Sequence, residues 1–308
     1  MNLMNNEKHY NTLNNYYKQK YHKKIAKISL NAGFTCPNID GKKGYGGCIY
    51  CSNGSGEFAG DKNKTLKEQF SQIKSIINQK WDDCHYIVYF QSNTNTYAPI
   101  NVIKEKFDEA IALDENIKEI SIATRCDSIS DECLDYLSEL NKKKPVQIEL
   151  GLQTTNEKTA KFINRGHSLE EFDTMVKKLQ KRNLSVVVHI INGLPYETKE
   201  DMINTIKHVN DLKIKGVKIH MLYVCQNTKL GQMYLENPFH ILSLEEYVEI
   251  TANQLQYLDK DVIIHRITGD ANKETLIEPK WGLKKFIVIN EIDKYMRKNN
   301  IYQGDYAK

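Results

Sequence analysis

The amino-acid sequence predicts an α/β protein whose strands are parallel. Short β-rich runs alternate along the chain with segments of helical apolar spacing. This alternation requires parallel strands joined by right-handed crossovers. About six strand–helix units can be read, fewer than the eight of a closed barrel. No strand leads into G-x-G-x-x-G at a helix start, which argues against a dinucleotide-binding sheet. The two architectures that remain are an open, partial barrel and a doubly wound sheet.

The predicted strands are runs of apolar and β-branched residues that end at polar or glycine-containing turns. In chain order they cover residues 24–30, 85–91, 117–124, 146–153, 184–193 and 216–224. A shorter run, DVIIHRIT, lies between two helical stretches near the C-terminus.

Capping boxes, in which Ser or Thr is followed three residues later by an acid, mark the predicted helix starts. Four of them are Thr65/Glu68, Ser168/Glu171, Thr198/Asp201 and Ser243/Glu246. Apolar residues of helical period follow, such as Phe70, Ile73 and Ile77 after the first box. Together these signals support the alternation of strands and helices.

The chain divides into an N-terminal basic and aromatic arm (1–24), a strand–helix core (25–239) and a C-terminal α/β extension (240–308). No Pro/Gly/Ser-rich linker precedes the extension. It is therefore expected to dock on the core and not to form a free domain.

Two predicted strands carry polar residues on one face. Glu149 and Gln147 alternate with apolar residues, as do Lys218 and His220, and His189 lies near the end of a third strand. A parallel sheet covered by helices on both sides should be apolar on both faces. Because buried charges are rarely left unpaired, the polar face is expected to line a cavity.

Composition excludes several classes of protein. The 308-residue chain has a net charge of +4 and 40% hydrophobic residues. No run approaches the roughly 18 apolar residues that cross a bilayer, and the N-terminus has no apolar signal region. Seven cysteines, an odd number, argue against a secreted disulfide protein. The expected location is the reducing cytoplasm, with no membrane partner.

The positive charge is concentrated at the N-terminus, where residues 1–30 contain six lysines and one acid. Tyrosines interleave with these lysines, and such a segment can hold phosphates and stack on bases. A solvated helix is the alternative. The candidate nucleic-acid contacts are Lys18, Lys20, Tyr21, Lys23 and Lys24.

A glycine-rich loop after the first strand contains Cys36, Cys48 and Cys51. A structural zinc site needs four ligands, and no histidine lies in this loop. An iron–sulfur cube bound by three cysteines leaves one iron open to a cofactor, whereas a zinc-bearing RNA-binding module remains a remote alternative. The other cysteines form no second cluster by spacing and are predicted to be small core thiols, namely Cys84, Cys126, Cys133 and Cys225.

The loop, with its CIYC segment, resembles the radical S-adenosylmethionine (SAM) superfamily. Segments such as YFQSNTNTY, ELGLQTTNEKT, NRGHS and HIINGLPYET also match in order. The long spacing between the first two cysteines is similar to that of the YhcC-like group, which includes MnmL-type enzymes and is related to the catalytic subunit of Elongator. The resemblance implies a partial (βα)6 TIM-like barrel, a [4Fe–4S] cluster on the three cysteines, SAM on the open iron and an external electron donor.

The resemblance also implies roles for residues of this chain. The implied cofactor-binding residues are Gln91, Asn93, Glu149, Gln153, Arg165, Gly193 and Pro195. The implied catalytic or cavity residues are Arg125, Asp127, Lys218, His220, His265 and Arg266.

The substrate that the resemblance implies is the wobble uridine of tRNA. Elongator-type enzymes carry an acetyltransferase domain, and none is expected after residue 308. The implied reaction therefore converts carboxymethylaminomethyl-uridine to aminomethyl-uridine through a 5′-deoxyadenosyl radical, before methylation by a separate methyltransferase. A radical SAM enzyme acting on a small metabolite or a tetrapyrrole is the alternative.

Overall fold

The computed structural model describes residues 8–52 and 58–307, and seven of its strands form one parallel sheet. The sheet is ordered as the chain runs: β1 (Lys24–Leu30), β2 (Cys84–Phe90), β3 (Ile117–Thr124), β4 (Val146–Gln153), β5 (Ser185–Asn192), β6 (Gly216–Met221) and β8 (Ile263–Arg266). A separate antiparallel ribbon pairs β7 (Val224–Cys225) with β9 (Leu276–Glu278). The seven-stranded sheet curls into a half-barrel, so the partial-barrel prediction is confirmed and the doubly wound alternative is wrong.

Helices connect the strands and cover the outer face of the sheet. They are α1 (Leu13–Tyr21), α2 (Leu66–Asn78), α3 (Ile100–Ala112), α4 (Asp131–Lys143), α5 (Glu157–Phe162), α6 (Leu169–Lys181), α7 (Lys199–Asp211), α8 (Lys229–Glu236), α9 (Leu244–Gln256) and α10 (Lys285–Lys298). All four predicted capping boxes are formed, each with reciprocal hydrogen bonds between the Ser or Thr and the acid three residues on. No helix in these described ranges is long and apolar enough to cross a membrane.

The C-terminal extension completes the barrel. Its strand β8 pairs in parallel with β6 and becomes the seventh strand of the sheet. Its helices α9 and α10 bury Leu255 and Ile292 in the same hydrophobic core as Ile219 of β6. The predicted strand at 216–224 is split, because the chain leaves the sheet after Met221 and Val224 pairs with β9. One core therefore crosses the boundary predicted at residue 240.

Helix α1 fills the space between the two edge strands. The amide of Ile264 in β8 donates to the carbonyl of Asn11 just before the helix. Tyr17, buried in α1, donates to the carboxylate of Glu119 inside the barrel at 3.0 Å. The described part of the N-terminal arm is thus a packed helix. It closes the barrel at the amino ends of the strands, opposite the loops that follow their carboxyl ends.

Candidate functional site

The cysteine loop leaves the carboxyl end of β1 and carries three partly exposed thiols, Cys36, Cys48 and Cys51, with no disulfide. Burial raises the pKa of the Cys48 thiol to about 11, and the neighbouring Cys51 and Cys36 act in the same direction. The positive charge of Arg125 opposes them. The fold therefore brings the three thiols of the predicted site together beside one cation.

Two asparagines hold this loop against the turn after α5. Asn38 Nδ2 donates to the carbonyl of Asn164 at 2.6 Å, and Asn164 Nδ2 donates to the carbonyl of Gly47 at 2.8 Å. The Asn38 amide oxygen is buried without a partner, facing the same loop. Gly47 has a φ of 74°, which a side chain would strain. Sequence reasoning missed both asparagines, because neither has a spacing signal.

Arg125 lies next to the cysteine loop and forms a bidentate ion pair with Asp127. Its Nε and Nη2 donate to the two carboxylate oxygens of Asp127 at 2.9 and 2.8 Å, and its Nη1 donates to the carbonyl of Arg165 at 2.7 Å. A Cβ on Gly166 would come within 3.0 Å of the Asn38 oxygen and 3.3 Å of Arg125 Nη2. This close packing orients a fixed positive charge toward Cys48. Such a charge stabilises a bound thiolate.

The donor set fits a [4Fe–4S] cluster. Over the described ranges, no three His, Cys, Asp or Glu side chains are placed to hold one metal ion. The thiolates on a cubane bind three different irons, so they need not converge on a single point. Residues 53–57, which follow Cys51, lie outside the described residues. Cys84, Cys126 and Cys133 are buried, in accord with their predicted role as core thiols, whereas Cys225 is only partly buried.

The loop after β2 packs on the segment that leads into Cys36. Asn93, with a φ of 58°, donates from Nδ2 to the carbonyl of Phe34 at 2.9 Å. Gln91 is half-buried at the start of the same loop. Gln153 ends β4 at a bulge with a φ of 66°, which turns its side chain back over Gly151. These three residues lie at the carboxyl edge of the sheet, and their contacts with SAM stay predictions.

Arg165 is buried, and every N–H group of its guanidinium donates to an acceptor within the protein. Its five N–H groups bind the carbonyls of Leu152, Thr154 and His167, with two bonds to the last, and the carboxylate of Glu157. No donor remains for a ligand carboxylate or phosphate. The predicted ligand contact is therefore not supported, and Arg165 instead orders the turn that holds Asn164.

The turn after β5 includes Gly193, Pro195 and Glu197. Gly193 has a φ of 85°, and a Cβ there would come within 3.1 Å of the Leu242 side chain. Pro195 is buried beside it. Burial raises the pKa of the Glu197 carboxyl to about 7, and its hydrogen bond from Thr154 opposes this. The turn thus places a carboxyl that titrates near neutrality at the carboxyl edge of the sheet.

Replacing Glu197 with Gln is expected to stabilise the protein by about 1 kcal/mol at pH 8, allowing for partial solvent exposure. The raised pKa means that the stability of the wild type falls as pH rises from 4.5 through about 7. The neutral amide of the variant avoids this loss of stability. Urea unfolding of the wild type and the variant at pH 5 and pH 8 measures the difference. Equal effects of the substitution on stability at both pH values would contradict the raised pKa of Glu197.

The barrel interior contains a buried ionic group, here called the lumen cluster: Lys27, Tyr89, Glu149, His189 and Lys218. Glu149 forms an ion pair with Lys218, accepts from Lys27 at 3.2 Å and lies 2.8 Å from His189 Nε2. Burial tends to raise the pKa of Glu149, but Lys218 and Lys27 hold it well below its usual range. The polar inner face predicted for these strands is present, and its charged groups are packed against one another. Glu149 is the counter-ion of two lysines, and its contact with SAM stays a prediction.

Two further predicted residues line the same interior. Within residues 8–52 and 58–307, buried His220 Nε2 and both ring nitrogens of His265 have no hydrogen-bond partner, and burial depresses the pKa of both rings. Arg266 leaves the end of β8 and pairs with Asp270 at 2.9 Å. The histidines therefore belong to the lumen, whereas Arg266 is partly exposed at its margin.

The five candidate nucleic-acid residues fall into two groups. Lys20 and Tyr21 bind Glu119 at 2.6 and 2.7 Å and so hold α1 in place. Lys18, Lys23 and Lys24 line a cavity of about 400 Å³ between α1 and β1, which also reaches Lys27 and His265. This cavity lies at the amino end of the barrel, away from the cysteine loop. Nucleic-acid binding by any of these residues stays a prediction.

Comparison with known proteins agrees with this geometry. Residues 43–209 match the radical SAM superfamily and residues 214–298 match the Radical_SAM C-terminal domain. YtqA of Bacillus subtilis is 43% identical over 98% of this chain and 94% of its own length. YhcC of Escherichia coli K12 is 30% identical over 92% of this chain and 91% of its own length.

Two further proteins have more distant similarity, one in sequence and one in structure. A tRNA uridine(34) acetyltransferase of Methanocaldococcus jannaschii is 26% identical over 63% of this chain and 36% of its own length. A solved structure of Elp3 from Methanocaldococcus infernus superposes with a TM-score of 0.66 at 18% identity, covering 91% of this chain and 64% of that chain. The protein is an enzyme of the type that cleaves SAM reductively, with a [4Fe–4S] cluster and SAM as its cofactors. The chain belongs to the radical SAM superfamily, in its YhcC-like subgroup.

Proposed function

We propose that this enzyme modifies the wobble uridine of tRNA, converting carboxymethylaminomethyl-uridine to aminomethyl-uridine. The observation that carries the proposal is the similarity of its barrel to a tRNA uridine(34) acetyltransferase over 63% of this chain. A product with a free aminomethyl group is a substrate for a separate methyltransferase. tRNA maturation of this kind places the enzyme in the cytoplasm, where a cellular reductant acts as external electron donor.

The residues at the carboxyl ends of the strands would each have a role in this reaction. Cys36, Cys48 and Cys51 would hold the cluster, and Arg125 would stabilise its thiolates from behind. When bound, the cluster and SAM supply a radical that removes hydrogen from a substrate carbon. Helix α1 covers the opposite end of the barrel and would limit the access of water to that carbon.

The proposed conversion balances with SAM and water as its co-reactants, and the external reductant would serve only to prime the cluster. The N–CH2 carbon of the carboxymethyl group loses two electrons and two protons to become a C=N carbon. One SAM takes up both electrons and one of the protons in forming methionine and 5′-deoxyadenosine. Water then splits the C=N bond, leaving the aminomethyl group on the uridine and releasing glyoxylate.

Mass spectrometry of tRNA nucleosides from a strain that lacks this gene tests the proposal. We expect carboxymethylaminomethyl-uridine to accumulate and the aminomethyl and methylaminomethyl forms to disappear. Expression of the wild type should restore them, and a Cys36→Ala variant should not. An unchanged nucleoside profile in a strain without a parallel pathway would refute the tRNA assignment.

A second candidate is a radical SAM enzyme that acts on a small metabolite. The packing of α1 favours it, because Lys20 and Tyr21 bind Glu119 and do not form a free basic arm. The salt dependence of activity separates the candidates. A tRNA substrate should bind more weakly as salt is raised, whereas a small neutral substrate should not.

A further inference from the structure

The lumen cluster contains more positive than negative charge. Lys27 and Lys218 both pair with Glu149, and over residues 8–52 and 58–307 neither has an ion pair with another carboxylate. Arg266, the other cation that acts on Lys218, pairs with Asp270, which also pairs with Lys285. The lumen cluster therefore has two ammonium groups and one carboxylate.

Lys218 is the deeply buried lysine of the two: it is only 7% exposed and Glu149 only 1%, whereas the Lys27 side chain is 23% exposed. Two cations that share one buried carboxylate are costly, and groups perturbed in this way cluster at functional sites. Burial lowers the pKa of Lys218 to about 7. The positive charge of Lys27 also lowers this pKa, whereas the negative charge of Glu149 raises it. The unliganded protein thus holds the proton on Lys218 only weakly.

The surroundings of Lys218 are polar but incompletely bonded. Its Nζ donates to the hydroxyl of Tyr89 at 3.2 Å and lies 4.6 Å from the centre of that ring. His220, two residues along the same strand, has a buried Nε2 with no partner, and its ring centre is 5.4 Å from that of His189. A ligand anion that reached Lys218 would meet an ammonium that shares its carboxylate partner with Lys27, and an imidazole nitrogen that has no partner among the described residues.

We propose that the lumen cluster recognises a carboxylate of the substrate, with Lys218 as the residue that contacts it. The inference rests on the proposed function insofar as that carboxylate belongs to the carboxymethylaminomethyl group. The enzyme then accepts a uridine bearing the carboxylate and releases one that has lost it. The negative charge of this carboxylate would favour binding of the substrate, and its loss in the product would favour release.

Equilibrium binding to the cluster-loaded enzyme tests the proposal without turnover. Three anticodon stem-loop RNAs carry carboxymethylaminomethyl-, methylaminomethyl- or aminomethyl-uridine, and their affinities are measured by fluorescence anisotropy without SAM. The wild type should bind the carboxylate form about tenfold more tightly than the other two, in line with a charge-assisted hydrogen bond. Lys218→Met should lose this preference and keep its affinity for the other two RNAs.

A matched control is Lys142→Met, which removes an exposed lysine of α4 that pairs with Glu139. It should bind all three RNAs as the wild type does. Equal preference for the carboxylate in Lys218→Met and in the wild type would overturn the proposal.

Sarcosine, a small N-alkyl glycine, separates failure of the carboxylate site from failure of the tRNA assignment. Calorimetric binding of sarcosine to the wild type but not to Lys218→Met would support the site even if no tRNA nucleoside changed in the deletion strain. Competition by SAM for sarcosine would assign the site to the carboxylate of SAM and overturn the substrate reading.

The affinity for sarcosine should fall as pH rises above about 7, because Lys218 must be protonated to bind it. The charged or titratable groups that face Lys218 are Lys27, Tyr89, Glu149, His189, His220, His265 and Arg266. Glu149 stays ionised across this range, since its pKa is well below its usual value. An affinity that did not change between pH 6.5 and 8.5 would count against Lys218.

Discussion

Replacing Cys48 with alanine is expected to abolish SAM cleavage and to remove most of the bound iron and sulfide. Three thiolates hold the proposed cluster, and the fold places Cys36 and Cys51 near Cys48. A protein with only two of the three cysteine ligands is not expected to retain the cluster, and it would then have no open iron to bind SAM. The measurements are iron and acid-labile sulfide content and the formation of 5′-deoxyadenosine under reducing conditions. Cys36→Ala and Cys51→Ala should behave alike.

Cys133→Ala is the matched control, because Cys133 is a buried thiol of α4 that packs in the hydrophobic core. It should keep its cluster and its SAM cleavage, with at most a modest loss of stability. A Cys48→Ala protein that retained full iron, sulfide and SAM cleavage would show that the cluster is held elsewhere. Zinc in place of iron and sulfide in the wild type would contradict the cluster itself.

Replacing Glu149 with Gln should cost about 3–5 kcal/mol of unfolding free energy, the range for breaking a buried ion pair by removing one partner. The amide keeps the size of the side chain and can still bond Ser121, which donates to Glu149 at 2.7 Å. It leaves Lys27 and Lys218 in the barrel with no negative charge. Because total stabilities are about 5–15 kcal/mol, the change is large and can be measured by urea unfolding at pH 7.5.

Lys218→Met should behave differently, staying within about 1 kcal/mol of the wild type or exceeding it. This substitution removes the excess cation and leaves Glu149 paired with Lys27. The double variant Glu149→Gln/Lys218→Met should recover part of the loss, since it removes one charge of each sign. If Lys218→Met were as unstable as Glu149→Gln, the lumen cluster would be balanced, and the charge excess that supports carboxylate recognition would be absent.

Local sequence patterns predicted the elements of this fold well. The bounds of β1, β3 and β4 agree with the predicted runs, and each predicted capping box starts a helix. Alternation along the strands also predicted that Glu149, His189 and Lys218 lie on one polar face, and in the structure the two basic side chains both contact Glu149. These successes have a common reason. Strand and helix periodicity, and capping, depend on residues a few positions apart.

Long-range contacts decided the rest. The role of Arg165 was mistaken because its acceptors are backbone carbonyls, which no sequence pattern reveals. Glu119 drew no attention in the sequence, although it anchors α1 through Tyr17 across 102 positions. The sequence predicted nucleic-acid contacts in the basic arm but not its position. Its described part packs at the end of the barrel opposite the cysteine loop.

The sequence by itself determined the partial barrel, the three cysteines proposed to hold the cluster and the family to which the chain belongs. Only the tertiary structure decided that β8 completes the sheet, that Arg125 faces the cysteine loop, and that two lysines share a single carboxylate in the lumen. Lys27 and Glu149 are 122 positions apart. Their charges interact only after seven strands have curled around a common interior, so the balance of charge there is a property of the fold.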